Sequence, residues 1–432
     1  MESVNQGATL RQEPTALYRW SVLLFISLAM FGNYYVYDSI APVAKLMKEQ
    51  LGFSDTNIGL LMGIYSVPNV VMVLIGGVII DWIGTKKSSL LFSVLCMVGA
   101  LVTSFGGGQL WLMALGRLVF GLGAESLIVA ITTVLAKWFK GKELSLAFGI
   151  NLTVARLGSF AADNSPTWAQ RYFDSYQYPL MIASAFGVIS VLAVIFYILM
   201  DNKARSYFQM GAEQKQERIK FSEIFKFNKS FWYITLLCVT FYSAIFPFRT
   251  FAIKFFQEQH GLPIQAAGFA NSIIILATMI GTPLFGMYID RHGKRASLMI
   301  LGSLLIVPVY LGMVYTQIHP LFFTAVMGVA FSLVPAAMWP SVALIVAEKK
   351  LGTGYGLMTM IQNIGLAGFN FLVGWANDIS TDTAGVTDYR LGMWLFSITG
   401  VLGLYFAIQL RRQERGPNKY GLEKGIKDYL VQ

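Results

Sequence analysis

Glu125 and Arg156 carry opposite charges inside stretches that are otherwise apolar. Counted along a helix at 1.5 Å per residue, Glu125 lies ~16 Å and Arg156 ~20 Å from the same end of two successive spans. A carboxylate accepts hydrogen bonds from an ammonium group, and a guanidinium holds a carboxylate through two parallel hydrogen bonds. The pair therefore predicts a binding site for a molecule with a charge at each end. The alternative is an ion pair that only joins two helices.

The first apolar stretch ends in a second group of polar candidates. Asp38 lies in its outer half, where it is a candidate amine acceptor or gate, or else a solvated acid at the mouth. Tyr34 and Tyr37 share a helix face with Asp38, because residues three and four apart are neighbours on a helix. Their rings could stack on a substrate and their hydroxyls could donate to it, although packing is the alternative role.

Further candidates lie in the second half of the chain. Arg249 follows Phe246-Pro247-Phe248, where the proline is expected to break the helix, and is a candidate carboxylate ligand or gate. Lys254 is nearer the end of the same span, and we expect it to extend to the membrane interface. The uncharged candidates for substrate contact are Trp339, Gln362, Asn363 and Asn370.

Composition and patterning identify the elements that must position these residues. Only 13% of the 432 residues are charged, about half the usual share of a soluble domain, and the mean hydropathy is +0.58. The apolar runs are long enough to cross a bilayer. Twelve helical spans are predicted, at 19–44, 57–80, 87–106, 109–136, 143–165, 177–200, 229–256, 264–289, 295–316, 319–346, 352–378 and 389–411.

One long polar stretch in the middle of the chain divides the spans into two groups of six. The predicted organisation is an N-terminal six-helix bundle (1–200), a cytoplasmic linker (201–228), a C-terminal six-helix bundle (229–411) and a cytoplasmic tail (412–432). The Lys and Arg residues concentrate in the even-numbered connections and the tail, which predicts cytoplasmic termini. This topology explains the net charge of +10 without nucleic acid.

An internal repeat supports two parallel halves. Gly77-Val-Ile-Ile-Asp81-Trp-Ile-Gly84-Thr-Lys86-Lys87 follows the second span, and Gly286-Met-Tyr-Ile-Asp290-Arg291-His-Gly293-Lys294-Arg295 follows the eighth. The two aspartates are 209 positions apart, as are the two glycines. A duplicated bundle with its substrate site between the halves is the arrangement that this repeat predicts.

These two elements resemble the loop signature of the major facilitator superfamily, although the first copy has Trp82 where arginine is usual. A narrower resemblance, from Trp20 to about Gly374, is to the major facilitator superfamily domain-containing protein one group. It rests on Phe120–Leu127, Trp138–Leu144, Ala155–Ser159, Phe246–Phe248, Leu351–Met358 and Ile361–Gly365.

The resemblance implies an all-α integral membrane protein with twelve transmembrane helices in two bundles around a central cavity. It further implies a dipeptide transporter, since the animal members of that group are lysosomal dipeptide transporters. Gating and conformational switching then fall to the loop residues Asp81, Lys86, Asp290, Arg291 and Arg295. Arg117, in an element typical of the fourth helix, is expected to act in structure or in proton coupling.

Several functions remain as alternatives at this stage. The first is a secondary active or facilitative transporter of small zwitterionic solutes, most simply dipeptides, by uniport or proton symport. The others are a proton-coupled organic-anion or drug exporter and a non-transporting receptor or scaffold. The sequence shows no nucleophile–base pair, metal-ligand cluster or Walker-type glycine loop, which argues against an enzyme and against ATP-driven transport.

The expected surroundings follow from these hypotheses. No cofactor is expected apart from a coupled proton. The expected partners are a small-molecule substrate and the lipid bilayer, with an accessory membrane subunit only for a eukaryotic protein. The sequence lacks an N-terminal acidic dileucine signal, which favours a bacterial inner (plasma) membrane over a lysosomal membrane.

Overall fold

Long apolar helices joined by short connections form the computed structural model. It describes residues 14–139, 143–207, 227–347, 350–416 and 419–424, without the side chains of residues 73, 74, 81, 145, 205–207 and 352. Within this part, the helices are α1 (Ala16–Asp38), α2 (Ala44–Leu51), α3 (Asp55–Gly63), α4 (Ser66–Phe105), α5 (Leu110–Phe139), α6 (Leu144–Asp163), α7 (Ser165–Trp168), α8 (Gln177–Tyr207), α9 (Lys229–His260), α10 (Ile264–His292), α11 (Arg295–Tyr315), α12 (Pro320–Ile345), α13 (Leu351–Ile379) and α14 (Arg390–Gln413).

The predicted spans all have counterparts among these helices. The predicted second span is α3 followed by the first part of α4, and the predicted third span is the rest of α4. Ten helices in the described residues are long and apolar enough to cross a membrane. Most of the predicted linker, 208–226, lies outside the described residues, while α8 continues to Tyr207.

The repeated loop element contains a glycine with a positive φ in each half. Gly84, inside α4, has φ 81° and ψ 157°, and Gly293, between α10 and α11, has φ 67°. Glycine adopts such angles without the steric penalty that a Cβ imposes. Gly84 and Gly293 occupy equivalent positions of the sequence repeat. In each half, the glycine therefore interrupts the helical backbone with a positive φ at the equivalent place.

Each half has its own apolar core. Phe92, Phe120 and Tyr197 are fully buried in the N-terminal half. The larger core of the C-terminal half surrounds α9 and also includes Met47 and Ile58 from the N-terminal half. The two halves are therefore packed together at one end, where α1 ends at Asp38 and α9 ends at His260. We call this end the distal face and the opposite end, where the described residues begin at Pro14 and finish at Lys424, the termini face.

Arg117 stabilises helix ends inside the N-terminal half. It is buried, and its guanidinium donates to the carbonyl oxygens of Leu61, Val36 and Tyr37 at 3.1, 3.1 and 3.2 Å. These carbonyls lie in the last turns of α1 and α3, where helical partners run out. This arrangement fits the structural role among the two that the sequence suggested.

The halves approach each other closely where α3 packs against α13. A methyl group at Gly374 of α13 would meet the backbone of Asp55 and Thr56, and one at Gly59 of α3 would meet the backbone of Asn370. Backbone atoms cannot rotate away as a side chain can. Glycine at these positions is therefore what allows the distal face to close.

We expect Gly374→Ala to open the distal face. Spin labels can be attached to cysteines placed at the exposed positions 170 and 383, in opposite halves of this face. Double electron–electron resonance should then report a longer distance between the two labels. Gly368→Ala, in the same helix with open space around it, is the control and should leave the distances unchanged. Unchanged distances in Gly374→Ala would contradict the packing account.

Candidate functional site

A central cavity of about 270 Å³ lies between the two halves. A second space of about 520 Å³ lies beside it and shares three of its lining residues, Arg156, Tyr242 and Trp339. These volumes are on the scale of small-molecule sites, ~300–1,000 Å³. The polar residues that line the central cavity are Asn33, Tyr34, Tyr37, Asp38, Tyr65, Glu125, Arg156, Ser159, Tyr242, Trp339, Thr359 and Gln362.

Glu125 and Arg156 both line this cavity, and no ion pair joins them, although both side chains are described. The Arg156 guanidinium carbon lies 5.5 Å from the centre of the Tyr34 ring and 5.9 Å from that of Phe331. Cation–π contacts of this kind hold a guanidinium in place without using its N–H donors. The geometry thus leaves a carboxylate and a fork of donors open to the same space.

The tyrosine and tryptophan candidates form much of the wall. Tyr34 and Tyr37 line the cavity from α1, and Tyr37 packs edge-on against Tyr65 with ring centres 4.8 Å apart. Trp339 lines it from α12, and its indole Nε1 donates to the Tyr242 hydroxyl at 3.0 Å. The wall is therefore largely aromatic, with hydroxyl and indole groups at its polar points.

The polar candidates of α13 differ in their positions. Gln362 lines the cavity, but its neighbour Asn363 is buried beside it and donates to the Thr359 carbonyl at 3.0 Å. Successive residues of a helix point about 100° apart, and α13 is rotated so that Gln362 and not Asn363 is on the cavity side. Asn370 also lies off the wall, where its Oδ1 accepts from Thr250 at 2.8 Å. The structure thus does not place Asn363 or Asn370 at the cavity.

Arg249 does not line the cavity either, and α9 continues through Pro247, so the expected helix break is wrong. Its guanidinium bonds to Asp38 at 3.0 Å and to Asp163 at 2.7 Å, both from the other half. Asn271 donates to Asp163 at 2.9 Å. We call Asp38, Asp163, Arg249 and Asn271 the inner tier. Asp38 belongs to it and also lines the distal end of the cavity.

The expectation that Lys254 extends to the membrane interface is wrong. Its ammonium group is buried and lies 2.6 and 2.5 Å from the two carboxylate oxygens of Asp55 in the other half. Asp378 of α13 accepts from the backbone amides of Asp55 and Thr56 at 2.7 and 2.8 Å. The Asp55 carboxylate takes the place of the water that would otherwise solvate the Lys254 ammonium group. Glu258, one turn further along α9, lies 3.8 Å from the Lys254 ammonium group. We call Asp55, Lys254, Glu258 and Asp378 the outer tier.

The sequence did not identify Asp55 or Asp163 as part of a site. Asp55 follows Ser54, whose side chain caps the start of α3, and Asp163 precedes Asn164-Ser165-Pro166. Both patterns are typical of ordinary helix ends. Their ion-pair partners lie in the other half of the chain, and only their position at span ends opposite Arg249 and Lys254 could have suggested the pairing.

The loop candidates lie at the termini face. Lys86 bonds to Asn202 at 2.6 Å and to Asp201 at 3.3 Å, within the N-terminal half. Asp290 and Arg295 form an exposed pair at 3.5 Å, and Arg291 is exposed. The side chain of Asp81 lies outside the described residues. Both sets of contacts stay within one half, so they leave this face free to open or close.

The arrangement has two chemical consequences. Two tiers of ion pairs close the distal face, and the cavity beneath them presents open groups of both charges. A buried charge without a partner costs several kcal/mol, so such groups favour a ligand that supplies the opposite charge.

Arg249→Met should weaken closure of the distal face, because it leaves Asp38 and Asp163 without their shared cation. Breaking a buried pair costs ~3–5 kcal/mol. The distance between labels at positions 170 and 383 should lengthen. Arg390→Gln removes an exposed ion pair with Asp388 on the same face and should not change it. If Arg249→Met and Arg390→Gln showed the same distance between the two labels, the inner tier would not be the gate.

Comparisons with known proteins agree with this architecture. Residues 26–267 and 249–429 match the family profile described as Major Facilitator Superfamily. The lysosomal dipeptide transporter MFSD1 of Bos taurus is 34% identical over 373 residues, covering 84% of this chain and 80% of that protein. The protein of the same name from Homo sapiens is 33% identical, covering 85% and 82%.

A mutant of the nucleoside transporter NupG has the same fold, with a TM-score of 0.75 at 16% identity over 90% of this chain and 99% of that one. The predicted fold of two helical bundles around a cavity is confirmed, as is the prediction of a transporter rather than an enzyme. The chain belongs to the Major Facilitator Superfamily.

Proposed function

We propose that this transporter carries small zwitterionic solutes, specifically dipeptides, with Glu125 binding the amino terminus and Arg156 the carboxyl terminus. The observation that carries the proposal is that these two side chains line one cavity without forming an ion pair with each other. A free dipeptide supplies an ammonium group for the one and a carboxylate for the other.

The relatives support the same substrate class. The two MFSD1 proteins are named as dipeptide transporters. The motif segments that include Glu125 and Arg156 are among those on which the resemblance rests. An organic anion would use Arg156 but would leave Glu125 facing it without a cation, which the cavity's charge pattern disfavours.

The state of the molecule supports transport by alternating access. The inner and outer tiers close the distal face, while the second space extends from Arg156 along Gly149 and Gly286 towards the termini face. We propose that the termini face is cytoplasmic, since the basic connections lie there. The structure then corresponds to a cytoplasm-facing state, and a bacterial inner membrane is the proposed location.

The substrate proposal predicts that both free termini are needed. Blocking the amino group of a dipeptide by acetylation, or its carboxyl group by amidation, should weaken binding to the purified protein about 10- to 100-fold, since each removes a charge-assisted hydrogen bond of ~1.5–3 kcal/mol. Isothermal titration measures the affinities. Equal affinity for the free and the acetylated peptide would contradict the proposal and favour an anion carrier.

A second prediction separates binding from bracing. Because Glu125 and Arg156 form no ion pair, Glu125→Gln and Arg156→Gln should leave the melting temperature of the ligand-free protein unchanged or raise it, while abolishing dipeptide binding. Arg156→Lys should also bind poorly, because a point charge cannot replace two parallel hydrogen bonds.

The control is Arg171→Gln, an exposed arginine on the distal face that does not line the cavity. It should keep both stability and binding. If the two residues only brace their helices, each single variant will be less stable and the double variant will recover much of the loss. That result would contradict the site.

A further inference from the structure

The two walls of the central cavity differ in their chemistry. The charged residues that line it, Asp38, Glu125 and Arg156, all belong to the N-terminal half. The described residues that line it from the C-terminal half are uncharged: Tyr242, Phe246, Trp339, Thr359, Gln362 and Leu366. A substrate with charged ends would therefore present its neutral middle to the C-terminal half.

The hydrogen bond from Trp339 determines whether the Tyr242 hydroxyl is a donor or an acceptor towards the cavity. The Trp339 indole N–H is a donor only, and it lies 3.0 Å from the Tyr242 oxygen, so that oxygen must be the acceptor. Among the described residues, no acceptor for the Tyr242 hydroxyl hydrogen lies within hydrogen-bond distance. Since Tyr242 lines the cavity, this hydrogen is available to a ligand.

Trp339 is itself held in place by a second tyrosine. The Tyr355 hydroxyl donates to the Trp339 carbonyl at 3.0 Å, and the two rings stack with centres 6.0 Å apart. The direction of the indole N–H, and hence the acceptor role of Tyr242, therefore does not depend on the ligand.

The side-chain amide of Gln362 is likewise oriented by a residue outside the cavity, Cys238. The buried thiol of Cys238 donates to Gln362 Oε1 at 3.3 Å. This contact uses the acceptor end of the amide, so the two Nε2 hydrogens are the groups left to face the cavity. Cys238 does not line the cavity and acts here as a positioning residue.

We propose that the Tyr242 hydroxyl and Gln362 Nε2 form a pair of donors for the carbonyl oxygen of the substrate's peptide bond. The proposal rests on the dipeptide function proposed above and deepens it. The charged ends select a zwitterion, and the donor pair selects a peptide over a zwitterion that has no carbonyl between its ends. A site with buried donors rejects an analogue that leaves them unpaired far more strongly than an apolar pocket rejects a missing methylene.

The test compares Ala-Ala with its trans-alkene isostere, in which a carbon–carbon double bond replaces the peptide bond and both charged termini remain. Isothermal titration with the full-length protein in detergent should show the isostere binding at least about 10-fold more weakly. In Tyr242→Phe and Gln362→Leu, Ala-Ala should lose affinity while the isostere keeps its own, so that the two compounds converge.

The positioning residue has its own matched pair of variants. Cys238→Ala should weaken Ala-Ala but not the isostere, and Cys238→Ser, which keeps a donor, should restore most of the difference. Cys96→Ala is the control: Cys96 is an equally buried free thiol whose contact is the backbone carbonyl of Phe120 and not the side chain of Gln362 or Tyr242. It should bind both compounds as the unmodified protein does.

The outcomes separate this inference from the function on which it rests. If Ala-Ala and the isostere bind the unmodified protein equally, the donor pair is wrong and the dipeptide function stands. If the difference persists in the Tyr242→Phe/Gln362→Leu double variant, the donors lie elsewhere and the assignment is overturned. If neither compound binds, both the proposed function and the donor pair are overturned.

Discussion

A charge in the interior of a membrane protein must be paired or be left for a ligand, and this protein does each at a different depth. Near the distal face, Arg249 and Lys254 are paired with carboxylates of the opposite half. In the centre, Glu125 and Arg156 face the same cavity without pairing. The difference matters because a paired charge holds structure, whereas an unpaired one raises the free energy until a ligand compensates it.

The two depths are connected through Asp38. Its carboxylate belongs to the inner tier through Arg249 and also lines the distal end of the cavity. One of its oxygens, Oδ2, is buried without a hydrogen-bond partner among the described residues. A group bound in the cavity is thus one side chain away from the ion pairs that close the distal face. In an alternating-access transporter, a substrate bound in the cavity can therefore influence the ion pairs of the inner tier through Asp38.

Some of the architecture was accessible from the sequence because it depends on local pattern. The length of the apolar runs predicts the spans. The common separation of 209 positions between the repeated aspartates and between Gly84 and Gly293 predicts the duplicated halves. Counting residues from the ends of two spans placed Glu125 and Arg156 at one depth, and both line the cavity. Depth can be counted along a chain because a helix rises by a constant amount per residue.

The rest depends on which residues of distant helices meet, and no local pattern determines that. Arg249 was a candidate ligand or gate, but its partner Asp163 looked like an ordinary helix end. The position of Lys254 near a span end predicts that it reaches the interface, because no local pattern shows that Asp55 of the other half pairs with it. Gln362 and Asn363 were equivalent candidates until the rotation of α13 placed one on the wall and the other behind it.

The central claim is that Glu125 and Arg156 hold the two ends of one zwitterion, and a structure of the protein with bound Ala-Ala tests it most directly. We expect the peptide carboxylate within about 3.2 Å of the Arg156 guanidinium nitrogens and the ammonium group at the same distance from the Glu125 carboxylate. A structure in which Ala-Ala binds elsewhere, or in which Glu125 and Arg156 pair with each other beside it, would contradict the account.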